Sequence, residues 1–239
     1  MMDTREPATR HKAEGPPQYP AVPAATVVLL RDGSDGPEAL MLRRNSKLEF
    51  VGGMWVFPGG RVEASDIDTD RPYDDTASAK RAAVRETAEE AGLTIDADSL
   101  VWFSHWTPPS ISPRRFVTWF FLARAPEGAV TVDGSEIQAH DWIRPVDALA
   151  RRNALEIELA PPTWITLEQL LAFADVETAL ATLGGRAPEY FATRLTRIDG
   201  GAVALYHGDA GYDDGNPDLP GNRHRLWMLN TGWRYERNC

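Results

Sequence analysis

The sequence predicts an α+β protein, with a mixed β-sheet and few helices between its strands. Three observations carry this. Short β-branched and aromatic runs bounded by Gly, Pro and Asp recur from Ala24 to Leu229. One alanine-rich stretch, residues 78–91, has helical composition and ends at Gly92. A hydrophobic fraction of 43% is enough to build a core.

Residues 1–22 are rich in charge and proline and lack hydrophobic period, which predicts a flexible lead-in. From Ala24 the run AATVVLLRDG reads as a strand, DGSDGP as a turn and EALMLRR as a second strand. GMWVFPGG is a short aromatic strand that stops at Pro58-Gly59-Gly60, and residues 63–75 read as a loop. The helix over 78–91 follows, with Gly92 placed as its left-handed cap. Strands are expected over 101–106, 115–125 and from Glu136 to Ile143. Helices are expected over 145–152 and 164–183, the second started by Pro161-Pro162. After Gly184-Gly185, strands are expected over 191–198, 202–207 and 224–229.

Composition excludes several functions. The chain has 239 residues, 25 basic and 35 acidic, for a formal net charge of -10. That balance opposes binding to nucleic acid or to an anionic membrane through bulk charge. Cys239 is the one cysteine, so there is no intramolecular disulfide and no Cys-based zinc site. No run reaches the roughly 18 apolar residues of a membrane span, and no secretory signal is apparent at the start. A soluble, cytoplasmic protein is the expectation.

The informative stretch is Arg85-Glu86-Thr87-Ala88-Glu89-Glu90-Ala91-Gly92-Leu93. On a helix, Glu86, Glu89 and Glu90 stand at i, i+3 and i+4 and project from one side. The arrangement is locally unfavourable. Like charges one turn apart cost about 0.2–0.5 kcal/mol, and they crowd the helix end whose dipole prefers cations. A solvated acidic face is the plain explanation. The Pro-Gly-Gly turn upstream and the glycine stop favour another, because a bound cation converts these liabilities into ligands. Carboxylates without Cys or His suit hard ions such as Mg²⁺ or Mn²⁺.

These residues resemble the Nudix box, G-x5-E-x7-R-E-U-x-E-E-x-G-U. Phe57-Pro58-Gly59-Gly60 leads into it, and Arg85, Glu86, Glu89, Glu90, Gly92 and Leu93 match in place. Thr87 occupies the first aliphatic position. Gly60 and Arg85 are 25 positions apart, which is 11 more than the written box. Counting back from Arg85 gives Ala77 where the first glutamate belongs, leaving Glu63, Asp66, Asp74 and Asp75 as unranked candidates. Leu40-Met41-Leu42-Arg43-Arg44-Asn45, then Gly53, is similar to the motif that precedes the box in coenzyme A diphosphatases. There Leu42 replaces the usual Thr and Glu49 the usual Arg. The long box loop, the Thr107-Pro108-Pro109 and Arg114-Arg115-Phe116 runs and the start at Trp164 resemble a longer, peroxisomal-type coenzyme A-hydrolysing branch. The carboxy-terminal Arg237-Asn238-Cys239 is no peroxisomal address.

The resemblance implies an α/β/α sandwich with a mixed sheet, and a C-terminal helical and β extension. The expected organisation is a flexible segment over 1–22, a Nudix hydrolase domain over 23–152, and an extension over 153–239 packed on it. It also implies cleavage of a nucleoside-linked diphosphate with Mg²⁺ or Mn²⁺. Coenzyme A or acyl-coenzyme A is the favoured substrate, and ADP-ribose, NADH, dinucleotides and oxidised nucleoside triphosphates are the alternatives. A catalytically inactive nucleotide-binding module is the alternative of another class. The implied metal ligands are Glu86, Glu89, Glu90 and the Gly59 carbonyl, with Glu86 a ligand or the base. Arg85 orients the glutamates. Glu136, after the Asp133-Gly134 turn, is the choice for a further catalytic acid, and reads equally as a surface turn residue. Arg44, Gly60, Arg114 and Arg115 are implied substrate contacts, and Arg43 is weighed with them. Trp102, Trp106, Trp119 and Phe121 are weighed as a base-stacking platform against core packing. His105 and His140 have no ligand spacing, and Pro108 is only weakly placed as a mark of ADP-ribose cleavage. The partner expected is a small nucleotide, not nucleic acid or membrane, with a homodimer left open.

Overall fold

The computed structural model describes residues 19–48, 51–67, 76–132 and 134–239. The chain forms two compact units: the larger holds Pro20–Pro108 and Arg114–Phe191, the smaller Pro109–Pro113 and Ala192–Cys239. Among the described residues no helix is long and apolar enough to cross a membrane.

The larger unit begins with β1 (Ala21–Gly33), β2 (Gly36–Arg44), β3 (Trp55–Val56) and β4 (Gly59–Arg61). Helix α1 (Thr76–Ala91) follows, then β5 (Val101–Thr107), β6 (Arg115–Arg124) and β7 (Ile137–Ile143). Helices α2 (Pro145–Asn153), α3 (Pro161–Leu170) and α4 (Val176–Gly184) precede β8 (Glu189–Ala192). The sheet order is β3-β2-β1-β6-β5-β8, with β4 also on β1 and β7 also on β2. β1 runs parallel to β6 from Ala21↔Arg115 to Leu30↔Arg124 and antiparallel to β2 and β4, so the sheet is mixed.

The burial of β1 explains its composition. Val27, Val28, Leu29 and Leu30 are all fully buried, as a strand covered on both faces requires. Ala25, Val27 and Leu29 share a core with Ala79, Ala82 and Ala83 of α1. Those alanines bring the helix close to the sheet. On the other face α4 contacts β1, β5 and β6, while α2 contacts β2. The result is an α/β/α sandwich.

Several elements differ from the sequence expectation, among them β4, which forms at Gly59–Arg61 where a strand stop is expected. β1 starts at Ala21 rather than Ala24, because parallel pairing with β6 recruits Ala21-Val22-Pro23. The helix expected over 164–183 is two helices. Asp175 caps α4 by accepting from the Thr178 amide at 2.7 Å, and Asp32 accepts from the Val176 amide at 2.8 Å. Two acids thus hold the new helix start, and a continuous helix would forgo both bonds. The strand expected over 191–198 is also two: β8 ends at Ala192 and β9 (Arg194–Ile198) starts the other unit's sheet.

That sheet is an antiparallel meander of β9, β10 (Gly201–Leu205), β11 (His224–Leu229) and β12 (Gly232–Arg237). β12 is an addition to the sequence expectation, its Trp233 and Tyr235 alternating with Arg234 and Glu236. The unit is locked by one buried fork. Arg225 donates from Nε and Nη2 to Asp209 at 2.7 and 2.6 Å, and from Nη1 to the Pro217 carbonyl at 2.6 Å. The His224 and Gly211 amides complete the carboxylate at 2.8 Å each. Burial alone would raise the Asp209 carboxyl. The hydrogen bonds from Arg225, His224 and Gly211 outweigh that and hold it below its usual 3.8.

Arg225→Ala leaves that carboxylate buried and unpaired, so it should cost about 3–5 kcal/mol in urea unfolding at pH 7. A lowered folded pKa contributes stability above the unfolded value and loses it as pH falls through the folded one. The gap between wild type and variant should therefore narrow below pH 3.8. A gap of under about 1 kcal/mol at pH 7 would show that the fork does not hold the unit.

Candidate functional site

The last turns of α1 place the acids. Thr87 faces the core and returns its hydroxyl to the Ala83 carbonyl at 2.7 Å, so a polar residue is accommodated at an apolar position. With Thr87 inward, the three acids share one side of α1, Glu86 and Glu90 largely covered and Glu89 59% exposed. Gly92 closes the helix at φ +67°, its amide on the Ala88 carbonyl at 3.1 Å. At Gly60 a Cβ would lie 2.2 Å from a Glu86 carboxylate oxygen. Any larger residue there would push that carboxylate from its place. The Gly59 amide donates to Glu90 Oε2 at 3.0 Å, so the Pro-Gly-Gly corner supplies both a donor and a clearance.

Arg85 ties this corner together. Its Nε and Nη2 fork onto Asp66 at 3.2 and 2.9 Å, and Nη2 also reaches the Arg61 carbonyl at 2.9 Å. Nη1 donates to Glu86 at 2.9 Å and to Glu89 at 3.0 Å. Asp66 is buried in a 3-10 turn, Ala64–Asp66, where its carboxylate also accepts from the Glu63 amide at 2.8 Å. Its carbonyl takes a bond from Arg81 Nε at 2.6 Å. Asp66 is the sixth residue after Gly60, the spacing at which the box has its first glutamate. Counting forward from Gly60 finds it, and counting back from Arg85 misses it, because the extra residues fall after Asp66. Asp74 and Asp75 lie outside the described residues, as does Glu49.

On the other side of Glu90 stands Arg44, at the end of β2 beside an irregularity in its pairing with β7. Its Nη1 is 3.4 Å from Glu90 and its Nη2 3.4 Å from Glu136. Asn45 fastens the Glu136 loop: its amide donates to the Glu136 carbonyl at 2.7 Å and its side chain to the Ser135 carbonyl at 2.9 Å. The structure therefore brings Gly59, Gly60, Arg85, Glu86, Glu89, Glu90, Arg44 and Glu136 together. Asn45, whose only sequence signal was its place at the end of a strand motif, joins them as a support.

Electrostatics follow burial. Burial drives the Glu90 carboxyl up to about 8; the Gly59 amide and Arg44 pull it down, and Glu86 and Glu136 push it up. Glu86 is raised as well, first by burial and then by Glu89 and Glu63, against the bond from Arg85. Arg85 is raised, chiefly by its bond to Asp66, and stays charged. Among the described residues no three acidic, His or Cys side chains stand together as a ready ion cage. The acids are instead parcelled out between two guanidinium groups. Their oxygen-only chemistry, the buried Glu90 carboxylate and the Gly60 clearance under Glu86 fit a hard divalent cation.

Other candidates lie elsewhere. Arg115 pairs with Ala21, five residues along β1 from the Thr26 that faces Gly59, or about 16 Å away. It is buried, and Arg114 precedes it on the same strand end. That strand end pairs with the start of β1. Arg43 is exposed on the opposite side of β2 from Arg44. Trp106, Trp119 and Phe121 are core residues; Trp106 stacks on Phe191 at 3.9 Å. Trp102 is partly buried against that core. His105 packs edge-on to Trp119 at 4.6 Å, and burial lowers its pKa. His140 sits on β7 opposite Leu42. Pro108 lies just past β5, and Asp133 falls outside the described residues.

Comparison with known proteins gives the family. The family model for the NUDIX domain matches residues 20–163. The chain is 28% identical to a protein named putative nudix hydrolase 7 from Caenorhabditis elegans, over 57% of this chain and 56% of that one. It thus spans little more than half that relative's length. It is 25% identical to a Gallus gallus protein named acyl-coenzyme A diphosphatase NUDT19, over 78% of this chain and 75% of that one. A crystal structure of a NUDIX hydrolase from Alicyclobacillus acidocaldarius superposes with a TM-score of 0.64 at 26% identity, covering 71% of this chain and all of that one.

A carboxyl whose folded pKa lies above the unfolded value opposes folding as pH rises through the interval. For Glu90 that interval runs from 4.5 to about 8, each unit worth up to about 1.4 kcal/mol. In chelator, Glu90→Gln should therefore melt higher than wild type at pH 8, and the gap should close toward pH 5. Equal melting temperatures across that range in thermal scans would mean that Glu90 titrates normally.

Proposed function

The chain belongs to the Nudix family of pyrophosphatases, and on that premise we propose that it is a divalent-metal-dependent hydrolase of nucleoside diphosphate derivatives, with coenzyme A or acyl-coenzyme A the favoured substrate. The observation that carries this is the corner where Glu86 lies over Gly60 and Glu90 is held between the Gly59 amide and Arg44. Two features favour coenzyme A: the Arg44 and Gly53 motif before the box, and the likeness to a relative named acyl-coenzyme A diphosphatase.

Glu86, Glu89, Glu90 and the Gly59 carbonyl would hold Mg²⁺ or Mn²⁺. That ion supplies neutralisation of the phosphate oxygens and lowers the pKa of attacking water. The chain does the rest. Arg85, fixed by Asp66, sets Glu86 and Glu89 to the same side of α1. Arg44 offers a guanidinium to the diphosphate. Glu136 reaches in from the loop held by Asn45 and accepts the proton of the attacking water. Water adds across the P–O–P bridge, one phosphorus gaining the hydroxyl and the other leaving as the phosphate of its own half. From coenzyme A the products are 3′,5′-ADP and a phosphopantetheine.

The test is cleavage of coenzyme A, acetyl-coenzyme A, NADH, ADP-ribose, diadenosine polyphosphates and 8-oxo-dGTP with Mg²⁺ and Mn²⁺. Coenzyme A compounds should be cleaved fastest, and Glu90→Gln should abolish turnover. Faster cleavage of another compound would keep the site and replace the substrate. Silence across the panel with both ions would favour a binding module. Glu136→Gln should lower kcat more than about tenfold with the fold intact by circular dichroism, and near-normal kcat would remove it from the site.

A further inference from the structure

The two guanidinium groups at the site are held very differently. Arg85 makes five bonds of 2.9–3.2 Å, three of them to Asp66 and the Arg61 carbonyl. Arg44 makes two contacts, both 3.4 Å, against about 2.7–2.9 Å for a good charge-assisted bond. Its Nε is buried and has no hydrogen-bond partner among the described residues. The side chain is 17% exposed, so water does little to replace those bonds. One cation of single charge lies between two carboxylates, Glu90 and Glu136, at distances that satisfy neither.

Its backbone is firmly placed. The Arg44 amide bonds the Met54 carbonyl at 3.0 Å, the Gly53 amide bonds the Arg44 carbonyl at 3.1 Å, and Asn45 holds the Glu136 loop independently. The guanidinium is therefore free to leave without dismantling either the β2 end or the position of Glu136.

Resting on the metal-dependent reading above, we propose that Arg44 is a resident counter-cation of the Glu90–Glu136 pair. It occupies their shared space in the ion-free protein, gives up both acids when a divalent cation loads, and is released toward the substrate's diphosphate. Arg44 is the guanidinium shared by Glu90 and Glu136 in the ion-free protein, and a divalent cation competes for the same two acids. An anionic substrate then meets a guanidinium already free of its acids, so cation binding precedes and prepares diphosphate binding.

The proposal is tested by binding, apart from turnover. Free Mn²⁺ measured by electron paramagnetic resonance gives the affinity of wild type, Arg44→Lys and Arg44→Gln. Arg44→Gln, which removes the competing charge, should bind Mn²⁺ several-fold more tightly than wild type. In ¹H–¹⁵N spectra without nucleotide, the Arg44 Nε–H resonance, assigned by its loss in Arg44→Lys, should shift on addition of Mg²⁺. If Arg44→Gln binds Mn²⁺ no more tightly, or if the resonance stays in place, Arg44 is a fixed support and the proposal fails while the hydrolase reading stands. Should wild type bind no Mn²⁺, both fail together. The resonance shift needs only wild type and the lysine variant, so it decides the matter even if the glutamine variant does not fold.

Discussion

The site depends first on the guanidinium of Arg85. An acidic cluster in the last turns of a helix is opposed by its own repulsion and by the helix dipole. Arg85 offsets both by turning all three nitrogens to the corner: Nε and Nη2 to Asp66, Nη2 also to the Arg61 carbonyl, and Nη1 to Glu86 and Glu89. The same bonds fasten α1 to β4 and to the 3-10 turn, so helix register and acid orientation are one constraint. Glu86 can lie over Gly60 because Arg85 holds it there and no Cβ intrudes.

Glu90 is the counterpart that Arg85 does not reach. It is buried, its carboxyl is strongly raised by burial, and its partners are one backbone amide and a distant guanidinium. A rigid half and a loosely compensated half therefore face each other across the corner. The rigid half is held by five short bonds, and the loose half by one amide and two contacts of 3.4 Å.

The smaller unit uses the same chemistry for another end. Arg225 and Asp209 form a fully satisfied fork, with every carboxylate oxygen and guanidinium nitrogen in a short bond. Nothing there is left to recruit a ligand, and its effect is to pin the loop between β10 and β11. Arg85 and Arg225 are fully bonded, whereas Arg44, also largely covered, makes only long contacts.

The sequence by itself determined most of the sandwich. The β-branched runs of β1, β2 and β6 and the alanine-rich α1 read directly as strands and a helix, because hydrophobic period and glycine stops are local signals. The acids Glu86, Glu89 and Glu90 were legible for the same reason: helical spacing fixes their common side. What local pattern does not carry was decided by the tertiary structure. The break between α3 and α4 depends on Asp32, far away in the chain. Asp66 stands at the box spacing when counted forward from Gly60, but its fork with Arg85, a contact across 19 positions, is what joins it to the acids. Arg44 and Glu136 meet across 92 positions, by the pairing of β2 with β7. Spacing along one helix is written in the chain, whereas which strand ends converge is set by sheet order and register.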